Sequence, residues 1–174
     1  MRLHVLRHAE AEELSPTGRD ADRRLTDAGR KRMKAVARAI ARMEPEYDAI
    51  LVSPLVRSRQ SAEPVAEACG FRGELTESRS LLPGADPEEV LRELAHLGAE
   101  NILLVGHQPH LGRLLGRLVS GRRDVEIPMK KAGLAELSTG SDPMLERAEL
   151  KFYLPPKLLE DLGPRRGAGR AGAS

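Results

Sequence analysis

Two arginines and two histidines in this sequence stand where a fold has no need of them. Each follows a short apolar run: Leu6-Arg7-His8, Val52-Ser53-Pro54 with Arg57 about one turn further on, and Val105-Gly106-His107. An arginine guanidinium grips phosphate oxygens through a planar fork and keeps its charge at any working pH. A neutral imidazole beside it can attack phosphorus and carry the phosphoryl group as a covalent intermediate. A second imidazole can donate a hydrogen bond to the oxygens on which charge is held during transfer. Alone, each residue reads more simply as a surface ion pair or a satisfied core histidine. Together, at one place, they read as an anion pocket built around a nucleophile.

What brings them together is the arrangement of elements. Leu3-His4-Val5-Leu6, Ala49-Ile50-Leu51-Val52 and Asn101-Ile102-Leu103-Leu104-Val105 are continuous apolar runs, the pattern of strands buried on both faces. Helical stretches separate them. Thr26 is placed as the N-cap of one, ahead of Met33, Val36, Ala37, Ile40 and Met43. Ser53-Pro54 is read as the cap and first position of a second helix, which Pro64 should kink and whose N-terminus adds to the anion pocket. Asp86-Pro87-Glu88-Glu89 caps a third, and Leu111, Leu114, Leu115 and Leu118 mark a fourth. Gly133 to Leu137 and Glu146 to Leu154 read as two later strands.

The expected fold is therefore a three-layer α/β/α sandwich with a mostly parallel central sheet and an antiparallel edge strand. In such a sheet, right-handed crossovers align the strand carboxyl ends along one edge, and ligands bind in the crevice outside it. Arg7, His8, Arg57 and His107 are brought to that edge by topology. The reading gives one domain over residues 1–155. A C-terminal tail over 156–174, Gly-, Ala- and Arg-rich from about Gly163, is expected to be flexible. Within it, residues 167–172 match a dinucleotide-binding glycine pattern but lack the strand before and helix after that the motif needs, so the match is rejected.

Composition bounds the function further. Of 174 residues, 28 are Lys or Arg and 26 Asp or Glu, a formal charge of +2 that does not suit a general nucleic-acid binder. The single cysteine, Cys69, allows neither an internal disulfide nor a Cys-rich metal site. No stretch approaches the roughly 18 apolar residues of a membrane span, and the N-terminus lacks a signal-peptide core. A cytoplasmic protein without membrane association is expected.

The motifs Arg7-His8-Ala9, Ser53-Pro54-Leu55-Val56-Arg57 with Gln60-Ser61-Ala62, and Val105-Gly106-His107-Gln108-Pro109 resemble those of the histidine phosphatase superfamily. Asp22 to Gly29 and the compact length resemble its SixA-like branch of phosphohistidine phosphatases, and the likeness runs over roughly residues 1–155. The resemblance implies that His8 is the phosphorylated nucleophile, that Arg7, Arg57 and His107 enclose the phosphate, and that neither metal nor cofactor is required. The family's first motif commonly reads Arg-His-Gly, where this chain has Ala9. Many relatives also carry a carboxylate that protonates the leaving oxygen. The corresponding stretch here, Ser78 to Pro83, has none; Glu77 and Asp86 flank it, and Asp86 already has work as a helix cap. An alkoxide needs that residue, whereas an imidazole, whose conjugate acid has a pKa of about 6.5, can take its proton from solvent.

The expected activity is thus a metal-independent phosphatase whose partner is a phosphorylated substrate, foremost a phosphohistidine-bearing protein. A sugar or nucleotide phosphatase and a non-catalytic phosphoryl-binding module are the alternatives. A mutase would have to shield its intermediate, and the chain offers few insertions from which to build a lid. Of the other candidates, His4 lies about 13 Å along the strand from His8 and reads as packed. His110 could approach His107 on a helical turn, but without a carboxylate the pair makes a poor metal site. His96 should face solvent and Cys69 should be packed. Glu10, Glu12 and Glu13 read as a solvated loop that could line the mouth of the pocket. Lys130-Lys131 could guide an acidic partner across the entrance.

Overall fold

Six strands form a single sheet in the order β3-β2-β4-β1-β5-β6 in the computed structural model, which describes residues 1–162. The strands are β1 (Arg2–Arg7), β2 (Ala49–Val52), β3 (Leu75–Glu77), β4 (Asn101–Gly106), β5 (Leu134–Ser138) and β6 (Glu149–Leu154). β1 to β4 run parallel, while β5 joins β1 antiparallel at one edge and β6 joins β5 antiparallel, so that β5 alone runs against the rest. Five helices flank them: α1 (Asp27–Ala41), α2 (Val56–Ala68), α3 (Pro87–Leu97), α4 (His110–Ser120) and α5 (Pro156–Leu162).

The two faces follow from the alternation of side chains along each strand. Leu3 and Val5 of β1, with Ile102 and Leu104 of β4, pack under α3 and α4 against Leu91, Leu94, Leu114 and Leu118. Leu6, Leu103 and Val105 point the other way, onto Met33, Val36 and Ile40 of α1 and Ala62 and Val65 of α2. The apolar runs are continuous because both faces are covered. Thr26 caps α1 by accepting from the Gly29 amide at 3.0 Å, and Asp86 caps α3 by accepting from Glu88 at 3.1 Å.

Three differences from the sequence reading have physical causes. α2 begins at Val56 with Leu55 as its cap residue, not at Ser53-Pro54. The Ser53 amide is still in the ladder, donating to the Val105 carbonyl at 3.0 Å, and its hydroxyl is engaged by His107. The helix then runs on through Pro64 to Ala68. β3 was not anticipated: it has only three residues, two of them exposed, so it leaves no apolar signature. The boundary at residue 155 is also too early. Pro156–Leu162 forms α5 against α1, with Leu159 fully buried in the α1–α2 core and Glu160 bonded to Arg32 at 2.6 Å. Burying that leucine is worth about 2 kcal/mol, against under about 1 kcal/mol for a half-exposed ion pair, so the leucine is what anchors the helix. Residues 163–174, with the rejected glycine pattern, lie outside the described residues.

Candidate active site

Strand register sets the site. Arg7 pairs with Gly106 across β1 and β4, and Val52 with Val105 across β2 and β4, so the three strands end level. The next residues, His8, Ser53 and His107, leave the sheet side by side. Arg7, His8, Arg57 and His107 line one cavity of about 320 Å³ at this carboxyl edge. The sequence reading named all four, and the structure brings all four together. The His8 and His107 rings lie 4.9 Å apart between centroids.

His8 is 7% exposed. Its main-chain amide donates to Gly106 O at 3.1 Å, and its Nδ1 lies 2.6 Å from the Ala9 carbonyl. A carbonyl only accepts, so Nδ1 carries the proton and Nε2 presents its lone pair. Burial, and then the Arg57, Arg7 and Lys131 charges, push the imidazole down to about 4, although the Ala9 carbonyl opposes this. His8 is therefore neutral at physiological pH, the form a nucleophile needs.

His107 is fixed from the other side of the ring. Its Nε2 meets Ser53 Oγ at 2.8 Å and Ser58 Oγ at 3.1 Å. Its Nδ1 is buried with no partner among the described residues. Burial first, then His8 and Arg57, push it down to about 2. Arg7 donates from Nη1 to Met129 O at 2.6 Å, and its Nε is buried and unpartnered among the described residues.

Arg57, 5% exposed, sits in the first turn of α2 and directs both ends of its fork at Asp20. Nη1 donates to the Asp20 main-chain oxygen at 2.8 Å and Nη2 to Oδ2 at 2.9 Å. Two residues of the second motif brace the loop that follows β1. Ser61 Oγ donates to Arg57 O at 2.7 Å and accepts from the Ala9 amide at 3.2 Å, while Gln60 Oε1 accepts from Leu25 N at 2.7 Å. Ala9 itself is fully buried in the α1–α2 core, which accommodates the methyl that glycine would lack.

Sequence reasoning missed Asp20, Arg23 and Gln108, which also line the cavity. Asp20 and Arg23 belong to a polar stretch with no periodicity, so no spacing places them; only the three-residue 3-10 turn at Asp20–Asp22 does. Arg23 Nη1 donates to Asp20 Oδ1 at 2.9 Å. Its bond to Arg23, and those to Arg57, hold the Asp20 carboxyl below the usual carboxylate range. Of the lysine pair, Lys131 lines the cavity. The three glutamates do not: Glu10 pairs with Arg32, Glu12 accepts from Arg24 N at 3.1 Å, and Glu13 is exposed. Glu77 is engaged by Arg59 at 2.9 Å.

His4 is packed as expected, bonded to Glu136 at 2.8 Å and to Tyr47 Oη at 2.9 Å. His110 is fully buried, and neither ring nitrogen has a partner among the described residues. His96 is exposed and Cys69 half-buried. Among the described residues no three His, Cys, Asp or Glu side chains converge as metal ligands, and no helix is long and apolar enough to cross a membrane.

Known proteins resemble this chain over part or most of its length. The family model of the histidine phosphatase superfamily (branch 1) matches residues 3–81. An uncharacterised protein of Picosynechococcus is 32% identical over 161 residues, covering 88% of this chain and 94% of the relative. The phosphohistidine phosphatase SixA of Escherichia coli is 27% identical over 124 residues, covering 70% of this chain and 76% of that protein. Among solved structures, the protein histidine phosphatase SixA complexed with tungstate superposes with a TM-score of 0.81 at 22% identity, covering 90% of this chain and 98% of that one.

Proposed function

We propose that this chain, which belongs to the histidine phosphatase superfamily, hydrolyses phosphohistidine on a protein substrate through a phosphoryl group carried on His8. The observation that carries the reading is the His8 ring itself: neutral, tautomerically fixed by the Ala9 carbonyl, and facing a cavity lined by Arg7, Arg57 and His107.

The chemistry follows from those contacts. Arg7 and Arg57 supply charge and donors for the phosphoryl oxygens. With a serine hydroxyl donating to its Nε2, His107 holds its proton on Nδ1 and offers that N–H to the phosphoryl group. His8 Nε2 forms the N–P bond as the bond from phosphorus to the leaving group breaks. Phospho-His8 then bears a proton on Nδ1, and the Ala9 carbonyl supports the resulting positive ring. Water attacks phosphorus, the N–P bond breaks with its electrons returning to Nε2, and neutral His8, phosphate and a proton to solvent result.

The choice of leaving group rests on the carboxylates. Asp20 is the carboxylate in the cavity, and it is ionised between two guanidiniums, so it has no proton to give. Glu77 is held by Arg59, and Asp86 caps α3. A phosphohistidine ring can take a proton from solvent on its second nitrogen, since an imidazole titrates at about 6.5, and then leaves as the neutral base with the electrons of the broken N–P bond. An ester oxygen has no such basic site, so an alkoxide needs an acid beside it. Of the expected enzyme readings, this arrangement favours phosphohistidine over sugar phosphates and nucleotides.

Radiolabelled phosphohistidine protein should label the wild type transiently and leave His8→Ala unlabelled. Turnover compared across phosphohistidine protein, sugar phosphates and nucleotides should rank the first highest. Hydrolysis that survives His8→Ala would remove the covalent route, and faster turnover of a sugar phosphate or nucleotide would remove the substrate assignment.

A further inference from the structure

An anion pocket that already contains an anion calls for an explanation. The Asp20 side chain is 60% exposed, yet its carboxylate reaches into the cavity and meets nearly buried Arg57 at 2.9 Å and Arg23 at 2.9 Å. Orientation alone does not require that charge at Arg57. The Asp20 main-chain oxygen already holds Arg57 Nη1 at 2.8 Å, and the 3-10 turn fixes where that oxygen sits. The carboxylate adds a full negative charge beside the guanidinium on which the phosphoryl group must rest. Inside a partly desolvated cavity a unit charge at such range weakens anion binding strongly.

We propose that the Asp20 carboxylate is a charge brake on phosphate affinity: it partly neutralises Arg57 and Arg23 so that inorganic phosphate, the product, leaves readily. The inference rests on the phosphatase reading. Asp20 acts through Arg57 and is not itself a catalytic residue. With four cationic side chains around the cavity, Arg7, Arg23, Arg57 and Lys131, an unbraked pocket would retain a divalent product anion. Asp20 thereby trades ground-state binding for turnover, since affinity shared equally by substrate and transition state does not raise kcat.

The test compares Asp20→Asn, which keeps the size and an acceptor oxygen but removes the charge, with Asp22→Asn on the same turn. Asp22 bonds Thr17 and Arg19 and is not among the residues lining the cavity. Inhibition by inorganic phosphate is measured during turnover of phosphohistidine protein and by calorimetric titration of the same proteins. In Asp20→Asn the phosphate constant and KM should both tighten about tenfold with kcat no higher, and in Asp22→Asn neither should move. Asp20→Ala, which also removes the acceptor, should tighten phosphate similarly. Unchanged or weaker phosphate binding in Asp20→Asn overturns the brake while leaving the phosphatase reading intact, and equal tightening in Asp22→Asn overturns it as a general charge effect. A wild type that neither turns over substrate nor binds phosphate overturns both.

Discussion

Acidifying the protein should reveal how far burial has moved the His8 titration. A free imidazole with a pKa of about 6.5 is about 9% neutral at pH 5.5. With burial and three neighbouring cations pushing it down to about 4, His8 remains about 97% neutral at that pH. The nucleophile should therefore be available about tenfold more than an ordinary histidine would be. Its neutral form should be lost only as the pH falls through about 4. Phosphate esters carry a second ionisation near about 6, which shapes kcat/KM in the same range. The decisive assay is hence a nuclear magnetic resonance titration of carbon-13-labelled histidine rings, with His8 assigned by its absence in His8→Ala. Lys131→Gln, which removes one of the cations, should move the His8 midpoint upward. A His8 ring titrating near 6.5, or a midpoint unmoved in Lys131→Gln, would refute the argument that burial and cations keep the nucleophile neutral.

Stability should fall on the same acid limb. His8 and His110 are both pushed down to about 4 by burial, so between about 6.5 and 4 the unfolded chain binds more protons than the folded one. Each then withdraws up to about 3 kcal/mol as the pH drops. His107 is pushed lower still by burial and contributes alike, so His110→Leu should keep stability at pH 7 within about 1.5 kcal/mol and recover at most about a third of the acid loss, checked by urea unfolding at pH 7 and 5. Asp86→Ala should lose about 1 kcal/mol of stability with its cap yet retain phosphatase activity, and Glu77→Gln should also retain it. A large loss of kcat in either would restore a general acid. Gly29→Ala would place a Cβ 2.2 Å from the Glu10 carbonyl oxygen. That clash should cost about 2 kcal/mol, outweighing the gain in helix propensity, and should lower activity because Glu10 lies two residues after His8.

The parts of the site legible in the sequence are those tied to regular elements. Arg7, His8 and His107 end apolar runs, and parallel pairing levels those ends, so their convergence follows from periodicity and topology. Arg57 follows because its helix leaves the same edge. Asp20 and Arg23 are different in kind: they reach the cavity through an irregular loop that Ser15 folds by bonding Thr17 and the Arg19 carbonyl. The start of α2 was misread for a related reason. Ser-Pro is a sound capping signal locally, but here a tertiary partner, His107, takes the hydroxyl. Leu159 escaped because only one of the three leucines in this short helix is buried, Leu158 and Leu162 being exposed, so the segment carries no apolar stripe. The resemblance of the motifs supplied the family and the carboxylate argument, neither of which periodicity contains.

One hydroxyl gives these motifs a shared history. Because Ser61 Oγ accepts from the loop bearing His8 and donates to the turn bearing Arg57, neither segment can drift alone. A replacement at position 61 that lacks either capacity disturbs both, and a side chain at position 9 larger than Ala9 pushes the loop off its partner. Substitutions at 9 and 61 should therefore be inherited as compatible sets, while the flanking loops are left free to diverge toward new substrates.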